Sequence, residues 1–341
     1  MKEALFYEKV GGRQVRCSLC RFNCLISDGK RGICHVRENR GGTLFSLVYG
    51  KVIAEHVDPI EKKPLFHVMP GSSAFSIATA GCNFRCRHCQ NYSIAQVGSK
   101  MPIHGTLRTP AEIVQNTVSS GCRSIAYTYT EPTMFYEFAL ETAQLAKESG
   151  LLNIFVTNGY ISKEPLAMIA QFLDAANIDL KGFSEKFYRE TVGAKLSEVL
   201  DSIIEYRKLG IWLEITTLII PGLNDSDEEL KGIAAFIVEN LGADTPWHVS
   251  QFYPTYQLTD RPRTPLSTLR QARDIGKAAG LHYVYEGNVP GEGGENSFCP
   301  SCGAVVVERL GYRIISNRLS EEGCPECGAK IAGISLSVAL R

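Results

Sequence analysis

Excess charge of either sign is missing from this sequence: 36 lysines and arginines stand against 36 aspartates and glutamates in 341 residues. A neutral chain has no general pull toward a phosphate backbone or an anionic bilayer, so a broad nucleic-acid binder is disfavoured. Long apolar runs are missing too, which excludes a membrane-spanning helix. The opening MKEALFYEKV lacks the apolar stretch of a secretory signal, and a cytoplasmic location is expected. Neither G-x-G-x-x-G nor G-x-x-x-x-G-K-[ST] occurs, so the two usual phosphate-cradling loops are absent. No internal repeat or low-complexity segment is evident.

Cysteine is what the chain has in quantity. Eleven of its 12 cysteines fall in three groups, and Cys122 stands alone as a plain buried thiol. The first group is Cys17, Cys20, Cys24 and Cys34, the second Cys82, Cys86 and Cys89, and the third Cys299, Cys302, Cys324 and Cys327. Disulfides rarely explain such tight spacing in a chain without an export signal, whereas clustered thiolates are how proteins bind zinc or iron–sulfur centres. The third group forms two C-P-x-C-G knuckles and suits Zn2+ or a single rubredoxin-type iron, stapling an appendage too small to fold by burial alone. The first group, with His35 as a spare donor, suits Zn2+ or a second [4Fe–4S] cluster. Arg31, Arg37 and Arg40 beside it are either a solvated face or a small anion-binding patch.

Between the outer groups the pattern is α/β. Short apolar runs at 75–80, 124–130, 152–159, 175–182, 211–222, 247–254 and 281–287 alternate with helical stretches. Pro132 and Gly150 bracket one helix, Ser226 and Glu229 match a capping box on another, and a crossover helix is expected near 110–120. Runs of this kind are buried on both faces of a parallel sheet, and six or seven βα units fit a full or partial (β/α)6-type TIM-like barrel. FSLVYGKVIAEHVDPI, before the barrel, suggests a short strand pair. The expected division is an N-terminal cysteine-rich segment (1–72), the barrel (73–290) and a C-terminal four-cysteine ribbon or rubredoxin-like appendage (291–341). The glycine-rich stretch after residue 286 suggests a loop over the barrel mouth.

The central triplet, C-x3-C-x2-C, is one ligand short of the usual four, and such a site can bind something exogenous. It follows the first barrel strand directly, at the carboxyl end where parallel α/β folds carry active sites. A three-cysteine zinc site completed by His88 or His104 is the bland alternative.

In GCNFRCRHCQN the sequence resembles the radical S-adenosylmethionine (SAM) signature. The resemblance implies that Cys82, Cys86 and Cys89 hold three irons of a [4Fe–4S] cluster while SAM chelates the fourth. One electron then cleaves the sulfonium to methionine and a 5′-deoxyadenosyl radical that abstracts hydrogen. His88 takes the place of the aromatic residue that packs near the adenine. TYTEP puts Thr130 and Glu131 where the family binds the methionine amino group, although both residues also suit a helix start. VTNG and DLKG resemble elements of glycyl-radical-enzyme activases and would bring Asn158, Asp179 and Lys181 to the SAM pocket. Thr216, with Thr217 and the 221–225 loop, would contact the ribose or adenine. His248 shares a strand face with Ser250 and is either near the ligand or a satisfied core histidine.

Over residues 15–341 the chain is similar to the radical enzyme of the AmmeMemoRadiSam system, whose barrel resembles pyruvate formate-lyase activating enzymes. A low-potential electron donor such as flavodoxin or ferredoxin is implied, with Memo-like and AMMECR1-like proteins as associated partners. The substrate, whether small molecule, lipid or peptide, is not implied. Glycyl-radical activation of a protein partner and a non-catalytic zinc scaffold are the competing readings.

Overall fold

The computed structural model describes residues 1–321 and 323–337. All seven apolar runs form strands: β2 (Ser73–Thr79), β3 (Ser124–Tyr127), β4 (Leu152–Thr157), β5 (Ala175–Asp179), β6 (Trp212–Ile219), β7 (Trp247–Gln251) and β8 (Val284–Gly287). They pair in parallel, each with its neighbour in sequence, so the sheet runs from β2 to β8 in order. β3 and β7 are buried at every position, as a strand covered on both faces must be. Among the described residues no ladder joins the two edges, and the fold is a partial α/β barrel.

Six helices make the crossovers: α1 (Pro110–Ser119), α2 (Tyr136–Glu148), α3 (Lys163–Ala170), α4 (Leu196–Lys208), α5 (Asp227–Leu241) and α6 (Leu266–Ala278). Thr109 and Glu112 form a complete capping box at α1. At α5 only half of the expected box forms. Ser226 Oγ accepts from the Glu229 N–H at 3.3 Å, but the Glu229 carboxylate instead accepts from the Phe183 N–H. Pro132 opens a 3₁₀ turn (Pro132–Phe135) rather than α2 itself. No helix among the described residues is long and apolar enough to cross a membrane.

One expectation is corrected at the N-terminal side. FSLVYGKVIAEHVDPI does not pair with itself. Thr43–Ser46 pairs with Arg37–Arg40 and Lys2–Glu3, whereas β1 (Lys51–Pro59) lies antiparallel on β2 and extends the barrel sheet. Alternation alone marks a strand but not its partner. After β1 the chain turns under the barrel, and Ile60, Leu65, Val68 and Met69 pack against Ala74, Ala126, Ile154 and Ala175. That plug closes the bottom, so ligands reach the interior from the other end or the open side.

The C-terminal residues form a three-stranded antiparallel ribbon, Ser297–Phe298, Val305–Leu310 and Arg313–Asn317. It docks through a buried network. His67 bonds Ala332 O and the Tyr285 hydroxyl, each at 2.6 Å, and Arg309 donates to Phe66 O at 2.9 Å and Ser297 Oγ at 2.8 Å.

Candidate active site

The triplet lies in the loop after β2, which opens at Gly81 with φ +100°. A Cβ there would sit 2.5 Å from Val36 Cγ1, so only glycine lets the loop pass the N-terminal segment this closely. The Phe84 N–H faces Cys82 Sγ at 3.4 Å, two residues on from the cysteine. Cys82, Cys86 and Cys89 open onto a cavity of about 390 Å³ at the carboxyl ends of the strands. Its wall also includes His88, Thr130, Glu131, Asn158, Asp179, Lys181 and Thr216. Seven of the eight non-cysteine residues expected at the cofactor are therefore brought together.

The eighth is not. His248 does not line the cavity: its Nε2 meets Glu214 Oε2 at 2.7 Å and its ring stacks with Tyr285 at a centroid distance of 5.1 Å. Ser250, on the same face two residues on, does reach the cavity. His248 shares that face but is engaged by Glu214 and Tyr285.

Roles within the wall differ from those expected. The Glu131 carboxylate does not present free oxygens to the cavity. It accepts from the Thr133 N–H (3.0 Å), Thr133 Oγ1 (2.6 Å), Thr157 Oγ1 (2.8 Å) and the Asn158 N–H (2.9 Å). Burial pushes its pKa up against these four donors. Glu131 thus clamps the end of β4, as well as capping the 3₁₀ turn. Thr130 Oγ1 likewise donates to Thr79 O at 2.8 Å. Asn158, positioned by that clamp, donates to Asn83 Oδ1 at 2.7 Å beside Cys82.

Lys181 lies 2.7 Å from Asp179 Oδ2. Burial opposes its charge, but Asp179 and the Cys86 sulfur outweigh burial and hold its pKa above the usual lysine value. Cys86 is pushed up to about 11 by burial, with Lys181 pulling the other way. His88 falls to about 3 through burial and the nearby Lys181 charge, so its ring is neutral.

These residues fit a cluster and its nucleotide ligand. The cavity presents three cysteine sulfurs, and among the described residues no fourth cysteine lines it. One buried polar atom of the wall, His88 Nδ1, has no protein partner, as expected where a polar ligand completes the wall. A zinc site with His88 or His104 is not formed, because among the described residues only Cys299, Cys302, Cys324 and Cys327 converge within 4.8 Å. In that ribbon group, Cys299–Cys327 and Cys302–Cys324 are each 3.7 Å apart, close to the edge of about 3.8 Å that metal–sulfur bonds of about 2.3 Å give a tetrahedral ion. The first group is buried but wider. Arg31 and Arg40 both pair with Glu38, and Arg37 pairs with Glu137, so the three arginines form no free anion patch.

Sequence reasoning missed five further residues of the cavity wall, Lys62, Lys63, Tyr129, Asn288 and Tyr312. Asp58 lies 2.8 Å from Lys62 Nζ and 2.7 Å from Lys63 Nζ, and also accepts from the Tyr129 hydroxyl. Two adjacent lysines before a proline were the available signal. Tyr312, at the ribbon's hairpin turn, had none. Of the glycine-rich stretch, Asn288 reaches the cavity.

The family model described as the radical SAM superfamily matches residues 76–237. The chain is 47% identical over 334 residues to the uncharacterized protein MJ0808 of Methanocaldococcus jannaschii, covering 97% of this chain and 99% of that one. A putative glycyl-radical enzyme activating enzyme of the same organism, MJ1632, is 28% identical over 192 residues, covering 53% of this chain and 68% of the relative. In fold, the chain is similar to a radical SAM methyltransferase from Sphaerobacter thermophilus (15% identity, 64% of this chain and 67% of that one, TM-score 0.50). With the triplet at the mouth of a partial barrel, these likenesses place the chain in the radical SAM superfamily, as an enzyme of that type and not the non-catalytic scaffold its outer cysteines alone would suggest.

Proposed function

We propose that this protein reductively cleaves SAM and abstracts hydrogen from a substrate carrying an anionic group. One observation carries the reading: a single cavity is lined both by the triplet and by Lys62 and Lys63. When bound, the [4Fe–4S] cluster and SAM supply one-electron chemistry and a 5′-deoxyadenosyl radical at the triplet.

The chain's own residues do the rest. Cys82, Cys86 and Cys89 are the cluster ligands in this reading. Neutral His88 offers a flat face and an unpartnered Nδ1 to the adenine side. Lys181, held charged beside Asp179, suits the SAM carboxylate, and Asn158 and Thr216 border the nucleoside. Lys62 and Lys63 share one carboxylate, Asp58, which leaves one positive charge in excess. Lys63 is buried against Asp58 and Lys62 is exposed, and an excess cation lining a cavity favours a carboxylate or phosphate over a neutral group. We assign zinc to the ribbon cysteines, whose small core of Cys299, Val306, Val307 and Cys324 needs a staple. The flanking cysteine segments support placement in the AmmeMemoRadiSam branch, with a flavodoxin or ferredoxin as electron source.

The test is anaerobic incubation of the iron-loaded protein with SAM and dithionite. 5′-Deoxyadenosine is expected from the wild type and not from Cys82→Ala, Cys86→Ala or Cys89→Ala. Iron-replete protein that turns over no SAM would overturn the reading. Metabolites from deuterium-grown cells, separated by anion exchange, then address the substrate. Deuterium should enter 5′-deoxyadenosine from an acidic fraction, and transfer from neutral fractions alone would sink the anion assignment. Activase action is the second reading, favoured by relatives named as activating enzymes. It predicts instead a glycyl radical signal on a partner polypeptide.

A further inference from the structure

The first cysteine group lies outside the cavity, yet it is built as a ligand site. Cys17, Cys20, Cys24 and Cys34 are all free thiols, and three of them are buried. They come from separate pieces of chain drawn together by pairing. Gln14–Cys17 pairs with Leu25–Ile26, and the Cys17 N–H donates to Cys24 O at 2.9 Å. Gly32 brings the loop before Cys34 close enough that its Cβ position lies 3.7 Å from Cys24 Sγ.

Backbone N–H groups face these sulfurs, Phe22 toward Cys20, Val36 toward Cys34 and Ile33 toward Cys24. For Cys20 and Cys34 the donor lies two residues on. The same offset recurs at Phe84 beside Cys82, at Ser301 beside Cys299 and at Ala329 beside Cys327. The chain therefore uses one knuckle geometry at all three groups. Arg37 adds a buried cation, with Nη1 3.7 Å from Cys17 Sγ.

Spacing separates the metals. A tetrahedral ion draws its sulfurs to a common centre, and the ribbon group has that compact form, within 4.8 Å. An iron–sulfur cube puts each thiolate on a separate iron and spreads them wider. Among the described residues neither the triplet nor the first group is compact, so the first group matches the triplet and not the ribbon.

We propose that Cys17, Cys20, Cys24 and Cys34 hold a second [4Fe–4S] cluster, fully ligated by protein and packed against the loop that carries the triplet. Contact between the two is direct. The Cβ position of Gly81 is 3.4 Å from Cys34 O. Tyr160 lies between the groups, with ring centroids 4.8 Å from Phe22 and 5.1 Å from Phe84. With four protein ligands the second cluster has no open iron, which suits it to electron storage and not to binding substrate.

The test counts metals and sulfide in the full-length chain, purified and reconstituted without oxygen. The wild type should hold about eight irons and about eight sulfides, with one further metal ion at the ribbon. The Cys82→Ala/Cys86→Ala/Cys89→Ala variant should keep about four of each, and lose them when Cys20→Ser and Cys34→Ser are added. Reduced wild type should give EPR signals broadened by coupling between two neighbouring centres, absent from the variant lacking the triplet. About four irons in the wild type with two zinc ions would overturn the proposal, as would a triplet-less variant containing zinc and no sulfide. Because that variant lacks the catalytic site, either outcome stands apart from whether SAM is cleaved.

Discussion

Replacing Glu131 by glutamine keeps the side chain's shape and removes one acceptor and the charge. The carboxylate receives four hydrogens, from the Thr133 N–H and hydroxyl, the Thr157 hydroxyl and the Asn158 N–H. Glutamine can keep the Thr133 pair, but its amide NH2 then faces the Asn158 N–H. An unpaired buried N–H costs about 1–3 kcal/mol, and the surviving bonds lose charge assistance worth about 1 kcal/mol each. Against this, burial already pushes the Glu131 pKa up, so removing the charge recovers some desolvation energy. The balance is a loss of about 2–3 kcal/mol, or roughly 3–4 °C in melting temperature for a chain of this size. Because Asn158 would also move off Asn83, SAM affinity should fall about fivefold, the value of one ordinary hydrogen bond. Scanning calorimetry and isothermal titration with SAM, both anaerobic, measure the two effects. A Glu131→Gln protein that melts and binds SAM like the wild type would refute the clamp.

Two further outcomes follow from the packing. Gly81→Ala combines a positive φ with a Cβ placed 2.5 Å from Val36, and should cost about 2–4 kcal/mol. Limited proteolysis should then release the N-terminal segment faster, with Val36→Ala giving partial rescue, and unchanged cleavage would argue against the close approach. His67 is pushed down to about 4, chiefly by burial. Its folded pKa lies below its unfolded value of about 6.5, so its contribution is complete above pH 6.5 and lost as the pH falls toward 4, by at most about 3 kcal/mol. Hydrogen exchange in residues 297–317 should rise in that window, and His67→Gln should flatten the rise.

Much of the barrel was legible because its strands are continuous apolar runs with helix caps between them. The triplet was legible because ligand spacing is written in the chain. Contacts between distant residues were not. Nothing near Tyr312 says that a hairpin so far along the chain from Tyr129 will share its cavity. For Glu131 and His248 the positions along a strand were evident, but not whether their polar atoms would be consumed by neighbours. Lys62 and Lys63 went unread because a charged pair is usually solvated; Lys62 is exposed, whereas Lys63 is buried against Asp58.

The plug also sets a timetable for synthesis. His67 and Ala332, which bond across 265 positions, leave the ribosome roughly 13–53 s apart at 5–20 residues per second. During that interval Leu65, Val68 and Met69 can be sheltered by the strands that follow them, and Phe66 and His67 meet Glu214, His248 and Tyr285 of the barrel, but the Arg309 and Ala332 contacts that cover them come last. The last cysteines to be translated therefore complete a surface laid down near the start, and a nascent chain starved of ribbon metal would expose an aromatic patch at the base of an otherwise finished barrel.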